Sequence, residues 1–235
     1  MRRALTIGVV CLAAALAGCG DDKGDESTDQ ASTATTTEQT APATTETQTQ
    51  TEASGECKRV STPKAEKRKG KKPRGELDEG RDYKLVFATS CGKFTIALDL
   101  KAAPKASASL VSLAESGYFD GTSFHRIVPG FVIQGGDPTA SGQGGPGYST
   151  VDKPPSDASY GKGVVAMAKT ETEAPGTAGS QFFVVTGDDA GLPPDYAVVG
   201  KVTDGLDVVE LIGQQGGPDE QPIQPVVIER VTVEK

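Results

Sequence analysis

Arg126, Phe131 and Gln134 are the residues whose types and spacing could do chemistry. They belong to the stretch 124–137, in which a Pro-Gly turn separates a basic residue from a short apolar run. Arginine offers five fixed donors and stays protonated, so it suits orienting or polarising an amide and does not suit acting as a base. The stretch therefore indicates a strand–turn–strand corner with a fixed cation beside an aromatic ring. A second interpretation is that Arg126 only pairs with a surface carboxylate.

Other catalytic classes are not supported by the residues present. His125 is the only histidine, so a Ser/His/Asp triad would need it, and no suitable serine motif accompanies it. No cluster of His and Cys has the spacing of metal ligands. The G-x-G-x-x-G match at residues 142–147 contains Pro146 and precedes no apolar helix, which predicts a loop and not a dinucleotide-binding turn. The sequence thus predicts neither a metal nor a cofactor.

The stretch Phe124-His125-Arg126-Ile127-Val128-Pro129-Gly130-Phe131-Val132-Ile133-Gln134-Gly135-Gly136-Asp137 resembles the signature of the cyclophilins, which are peptidyl-prolyl isomerases, at nearly every position. The resemblance covers about residues 82–235. It implies that Arg126 stabilises the twisted X-Pro bond, that Gln134 holds Arg126 and a backbone group of the substrate, and that Phe131 completes the catalytic set. In this family the histidine of the signature is not catalytic.

The resemblance also implies an apolar pocket for the proline ring and a groove for the residues before it. The pocket would be lined by Phe131, Val132, Met167, Phe183, Leu192 and Tyr196, and the groove by Ala168 and Gln181. Strand alternation places Phe182 and Phe183 on opposite faces, and the family match assigns Phe182 to the core.

Several positions depart from the common family pattern. Val132 stands where Met is common, Lys169 where Asn is common, and Tyr196 replaces a pocket histidine. The loop 188–195 lacks the usual tryptophan and offers Gly191, and a few extra residues lengthen the loop after Lys169. These changes leave Arg126 in place.

The elements that must position these residues are short strands and two helices. The runs 83–89 and 93–100 are rich in β-forming residues and are joined by Ser90-Cys91-Gly92, which predicts a hairpin; within the second run, residues 93–99 alternate polar with apolar. Residues 105–116 follow Pro104 and end at Gly117, which is typical of an amphipathic helix, and 206–212 predict a second helix. With further strands at 163–168, 180–185, 196–202 and 225–233, the chain is predicted to be mainly β: a closed eight-stranded antiparallel β-barrel capped by two α-helices, as in the cyclophilins.

The N-terminal region predicts export and a lipid anchor. Residues 1–18 have a basic start and a short apolar run, as a signal peptide does, and Leu16-Ala17-Gly18-Cys19 resembles a bacterial lipobox. That resemblance implies cleavage before Cys19 and its acylation, palmitate included; ordinary secretion with a chance cysteine is the alternative. Residues 19–81 are predicted to be a lipidated stalk, whose first part is disordered and rich in Thr and Glu and whose second part is basic. Residues 82–235 are predicted to be the isomerase domain.

Charge and cysteine usage add two expectations. Residues 20–57 carry a net charge of −8, residues 58–74 of +8 and residues 75–235 of −10, so the acidic folded part argues against nucleic acid as a partner. The basic block either contacts anionic lipid or cell-wall polymer, or is a solvated linker. Of the four cysteines, Cys11 would be removed with the signal peptide and Cys19 would be acylated. Cys57 and Cys91 then remain as an even pair in an oxidising compartment, which predicts a disulfide between them; the alternative is two free thiols.

Together these features predict a monomeric, lipid-anchored isomerase on the extracytoplasmic side of the cell membrane. Its partners would be proline-containing polypeptides among exported or cell-envelope proteins. The alternative is a non-catalytic module that binds proline-containing peptides as a chaperone or scaffold.

Overall fold

The computed structural model describes residues 55–235. The predicted signal peptide, the acylation of Cys19 and the acidic part of the stalk lie outside the described residues. The predicted domain boundaries therefore stay predictions, and the account that follows concerns residues 55–235 alone.

The described chain contains eleven strands and two helices. In chain order they are β1 (Lys84–Thr89), β2 (Gly92–Leu98), α1 (Pro104–Glu115), β3 (Thr122–Ser123), β4 (Arg126–Val128), β5 (Val132–Gly135), β6 (Thr150–Val151), β7 (Val164–Met167), β8 (Thr177–Ala178), β9 (Phe182–Val185), β10 (Val198–Asp204), α2 (Leu206–Gly213) and β11 (Val227–Glu234). The predicted β1–β2 hairpin and both predicted helices are present within two residues of their expected bounds.

Nine of these strands form one curled antiparallel sheet, in the order β3-β11-β1-β2-β10-β7-β9-β5-β4, and β6 pairs with β8. The prediction of a mainly β chain with two helices is confirmed, but the closed eight-stranded barrel is not. The two end strands, β3 and β4, are joined only by Phe124 and His125. Phe124 N donates to Val226 O beside β11, whereas His125 N donates to Gln134 O of β5. The pairing partner therefore changes between these two residues, and the hydrogen-bonded ladder stays open there.

An aromatic cluster fills the space that the sheet and helices enclose. Phe87 stacks on Phe94 with ring centroids 4.9 Å apart. Phe182 meets Phe119 and Phe124 edge to face at 6.1 and 6.2 Å, a favourable geometry for aromatic pairs. All five rings are at most 1% exposed. No helix within residues 55–235 is long and apolar enough to cross a membrane.

A disulfide fixes the start of the described chain to the domain. The predicted pairing of Cys57 with Cys91 is present. Next to it, Lys58 N donates a hydrogen bond of 2.7 Å to Ser90 O in the turn between β1 and β2. The disulfide and the hydrogen bond together hold the residues that precede the sheet against the β1–β2 turn.

The basic segment further along, residues 64–74, also lies against the domain although it forms no helix or strand. The Arg68 guanidinium donates from Nη1 to Tyr118 O and to Asp120 O, each at 2.8 Å, just after α1 ends. Gly70 N donates to Pro146 O at 2.9 Å. These hydrogen bonds, which composition does not reveal, attach this part of the predicted stalk to the folded domain, and the predicted bounds of the stalk stay a prediction.

Candidate active site

The β4–β5 hairpin places Arg126 directly opposite Gln134 in the strand register. Gly130, at φ 70°, makes the turn between the two strands, a backbone conformation that favours glycine. On the next strand, β9, Phe183 pairs with Gln134, and on β7 beyond it Ala166 pairs with Phe183. Four residues from neighbouring strands therefore lie side by side in one row, which runs from Arg126 through Gln134 and Phe183 to Ala166.

Two adjoining cavities lie over this row. The smaller, of about 230 Å³, is lined by Arg126, Phe131, Val132, Gln134, Ala168, Lys169, Phe183, Leu192 and Tyr196. The larger, of about 580 Å³, shares Gln134, Ala168 and Lys169 and adds Gln181 and the glycine-rich loop 142–149. The structure thus brings together every predicted catalytic and substrate-binding residue except Met167.

Met167 was expected in the proline pocket, and the structure places it in the core instead. It is fully buried and packs in the same cluster as Phe182. Ala166 belongs to the separate cluster that contains Phe183. Because side chains alternate along a strand, the residue that follows Ala166 on β7 must point away from the cavity. The same alternation puts Phe182 in the core and Phe183 under the cavity.

Tyr160 supports one wall of the smaller cavity and was not singled out from the sequence. Its buried hydroxyl donates to Tyr196 O at 2.9 Å and accepts from Tyr196 N at 3.0 Å. The Tyr196 ring in turn meets Phe183 edge to face, with centroids 5.5 Å apart. The hydroxyl therefore fixes the backbone of Tyr196.

The Arg126 side chain is held by a carboxylate from a distant part of the chain. Its Nε donates to Glu220 Oε2 at 2.7 Å, with the arginine side chain 33% exposed. The guanidinium carbon lies 5.9 Å from the centre of the Phe131 ring. Gln134, which was expected to hold Arg126, donates from Nε2 to Gln181 Oε1 at 3.0 Å instead. No local pattern in the sequence indicated Glu220.

Gln181 connects the hairpin to the glycine-rich loop. Its Nε2 donates to Gly142 O at 3.0 Å and to Gly144 O at 2.9 Å. Asp137 closes the same loop by accepting from Thr139 N at 2.7 Å and from Gly144 N at 3.0 Å. Burial acts to raise the pKa of the Asp137 carboxyl, but the hydrogen bonds from Thr139 and Gly144 outweigh it and hold the pKa below its usual value. The loop predicted here is therefore an ordered wall of the larger cavity.

His125 stands next to Arg126 in sequence but lines neither cavity. Burial lowers its pKa, an effect larger than the opposing influence of the Asp137 charge. The imidazole is therefore mostly uncharged near neutral pH.

Lys169 lies at the boundary of the two cavities with its side chain only 4% exposed. Its ammonium group is 3.7 Å from Asp195 Oδ2 and 5.4 Å from the centre of the Tyr196 ring. It also donates to Thr170 O and Glu173 O, each at 3.3 Å. This cation therefore joins the lengthened loop after β7 to the wall that carries Tyr196.

Similarity to known proteins agrees with this geometry. The family model described as "Cyclophilin type peptidyl-prolyl cis-trans isomerase/CLD" matches residues 84–233. The peptidyl-prolyl cis-trans isomerase ppi1 of Schizosaccharomyces pombe is 39% identical over 149 residues, covering 61% of this chain and 94% of the relative. Peptidyl-prolyl cis-trans isomerase A of Mycobacterium tuberculosis is 38% identical over 164 residues, covering 62% of this chain and 88% of the relative.

Solved structures are similar over the same region. Two crystal structures of a cyclophilin type peptidyl-prolyl cis-trans isomerase from Cryptosporidium parvum have TM-scores of 0.61 and 0.60 and identities of 29% and 30%. They cover 66% and 65% of this chain and 99% of their own chain, and the second was determined in the presence of the dipeptide Ala-Pro. Because the matched region is nearly the whole of these folded proteins, residues 55–235, which also keep the disulfide, contain a complete folding unit.

Proposed function

Because the chain belongs to the cyclophilin-type peptidyl-prolyl cis-trans isomerases, we propose that it turns X-Pro bonds by placing the Arg126 guanidinium beside the twisted bond. The observation that carries this proposal is the cavity of about 230 Å³ in which Arg126 stands at one side and the Phe183 ring at another. An apolar surface that can take a proline ring is thereby combined with a fixed cationic donor.

The chemistry requires no covalent step. Rotation about a peptide bond is opposed by a barrier of about 18–20 kcal/mol that comes from amide resonance. When the bond is twisted, the prolyl nitrogen regains its lone pair and can accept a hydrogen bond. A guanidinium aimed at that nitrogen stabilises the twisted state over both planar states, and this difference is what accelerates the reaction. The Nη groups of Arg126 supply such donors, since Nε is already engaged.

Substrate binding would use the two cavities together. Val132, Phe183 and Leu192 supply apolar surface for the proline ring in the smaller cavity. Ala168, Gln134 and Gln181 border the larger cavity, where the residues before the proline would lie. The relative crystallised in the presence of Ala-Pro supports proline-containing peptides as the ligand class.

We also propose a place of action. The sequence before residue 55 supports a lipid anchor at Cys19 on the extracytoplasmic side of the cell membrane, with exported or cell-envelope polypeptides as substrates. The disulfide between Cys57 and Cys91 agrees with an oxidising compartment, where such bonds persist. Expression of the full chain and of Cys19→Ser in a bacterium tests the anchor. We expect the native chain in the membrane fraction and the variant released from it; equal membrane association of both would contradict the anchor.

The isomerase mechanism can be tested by NMR exchange on a short X-Pro peptide with residues 55–235. We expect Arg126→Ala to lose about 100-fold or more of the acceleration, as when one donor to a developing charge is removed. Arg81→Ala is a matched control, because Arg81 is an exposed arginine that also pairs with a carboxylate, that of Asp78 at 3.4 Å. Native-like acceleration by folded Arg126→Ala would rule out the role of the arginine. Peptide binding without acceleration by the native chain would leave a proline-peptide-binding module.

A further inference from the structure

The residue that holds the Arg126 side chain in this structure is Glu220. The bond from Arg126 Nε to Glu220 Oε2, at 2.7 Å, is the one hydrogen bond of this side chain within residues 55–235. Gln134 donates its Nε2 to Gln181 Oε1, and within residues 55–235 it forms no hydrogen bond with the Arg126 side chain. The orientation of the guanidinium over the cavity therefore depends on a carboxylate that lies 94 residues away in sequence.

Glu220 is fixed to β4 by its backbone as well as by its side chain. Its carbonyl accepts from Ile127 N at 2.8 Å, so the residue next to Arg126 is bonded to the same glutamate. Its own N–H donates to Gly217 O at 3.1 Å. Glu220 has a φ of 63°, a conformation that residues other than Gly, Asn and Asp rarely adopt. A glutamate in such a conformation persists only where its surroundings hold it, and such positions cluster at functional sites.

The loop that carries Glu220 is itself bound together and packed on the hairpin. Gly217 N donates to Gln221 O and Ile223 N donates to Gln215 O, each at 2.7 Å. At Gly216 an added Cβ would come within 2.6 Å of Ile127 O, so the loop backbone touches β4 directly. The Glu220 side chain is 52% exposed, but its carboxylate is presented from a loop whose backbone is hydrogen-bonded and packed on the hairpin.

We propose that Glu220 is a positioning residue for the isomerase reaction. By accepting from Nε it fixes the plane of the Arg126 guanidinium and leaves Nη1 and Nη2 free to donate to the prolyl nitrogen. The proposal rests on the catalytic role assigned to Arg126. Orientation is what Glu220 supplies, so an uncharged acceptor at the same position can replace it.

Two substitutions separate orientation from charge and from folding. Glu220→Gly suits a φ of 63° and removes the side chain without strain, and Glu220→Gln keeps an oxygen acceptor. We expect Glu220→Gly to lower kcat about tenfold with little change in KM and no loss of thermal stability. Glu220→Gln should recover most of the activity. Glu229→Gln, at an exposed position of β11, controls for the loss of one negative charge. Native kcat in Glu220→Gly would overturn the proposal, and so would an equally low kcat in Glu220→Gln.

A double-mutant cycle with Arg126→Ala identifies which step of the reasoning is at fault. If Glu220 acts through Arg126, Glu220→Gly should have no further effect on kcat once the arginine is gone. If Arg126→Ala is impaired and Glu220→Gly is native, only the positioning proposal fails. If Arg126→Ala itself is native, the proposed mechanism fails and the positioning proposal fails with it.

Discussion

Reduction of the disulfide between Cys57 and Cys91 should destabilise the folded chain by an amount set by the loop that it closes. The two cysteines are 34 residues apart in sequence. In the chain-entropy model, a loop of this length restricts the unfolded chain enough to contribute about 3–4 kcal/mol to the free energy of unfolding. With a urea dependence of about 2 kcal/mol per M for a chain of this size, the midpoint should fall by about 1.5–2 M on reduction.

The assay is urea unfolding of residues 55–235 with and without reductant, after mass measurement has shown that the oxidised sample contains no free thiols. Cys57→Ser should unfold like the reduced native chain, and reductant should not change it further. Because neither cysteine lines the two cavities, isomerase activity below the transition should persist. An unchanged urea midpoint on reduction of a verified disulfide would refute the reasoning.

Three further predictions concern the surroundings of the site. Tyr160→Phe removes the hydroxyl that is hydrogen-bonded to Tyr196 N and O. The free energy of unfolding should therefore fall by about 1–3 kcal/mol in chemical denaturation, and the KM for the peptide should rise. Native values of both quantities would contradict the role of Tyr160 in supporting the cavity wall. Lys169→Met should free the loop that follows β7 and raise the peptide Kd several-fold by calorimetry, while an unchanged Kd would show that the contact with Asp195 is irrelevant to binding. Since burial lowers the pKa of His125 in the folded chain below its usual 6.5, the unfolded chain takes up this proton first, and the free energy of unfolding should fall as the pH drops below about 6.5. His125→Asn should lack the part of this decline that comes from the histidine. An equal decline in the native protein and the variant would refute a contribution from His125.

The residues near one another in sequence were predicted best. The Pro-Gly turn in the stretch 124–137 determines the hairpin, and the hairpin register puts Arg126 opposite Gln134. Period-two alternation separated Phe182 from Phe183 correctly. The same rule, applied to β7, excludes Met167 from the cavity. That residue was placed in the pocket by family resemblance alone, and the strand geometry corrects it.

Contacts between distant segments could not be predicted. Glu220 and Tyr160 reach Arg126 and Tyr196 across 94 and 36 residues, and neither lies in a pattern that marks it. The attachment of Arg68 to the carbonyls after α1 is equally invisible in a run of charges. The ladder is open between β3 and β4 because Phe124 N donates to Val226 O whereas His125 N donates to Gln134 O. Composition and periodicity do not encode such choices.

The central claim is that Arg126 acts on the twisted bond and does not merely bind substrate. The most direct measurement is the rate of cis/trans interconversion of an X-Pro peptide within the saturated complex, by NMR line shapes, for native residues 55–235 and for Arg126→Lys. Lysine keeps the charge but loses the planar fork of donors. We predict that the bound-state rate falls by about 100-fold while the peptide Kd changes less than about threefold. A weaker Kd with an unchanged bound-state rate would contradict the claim.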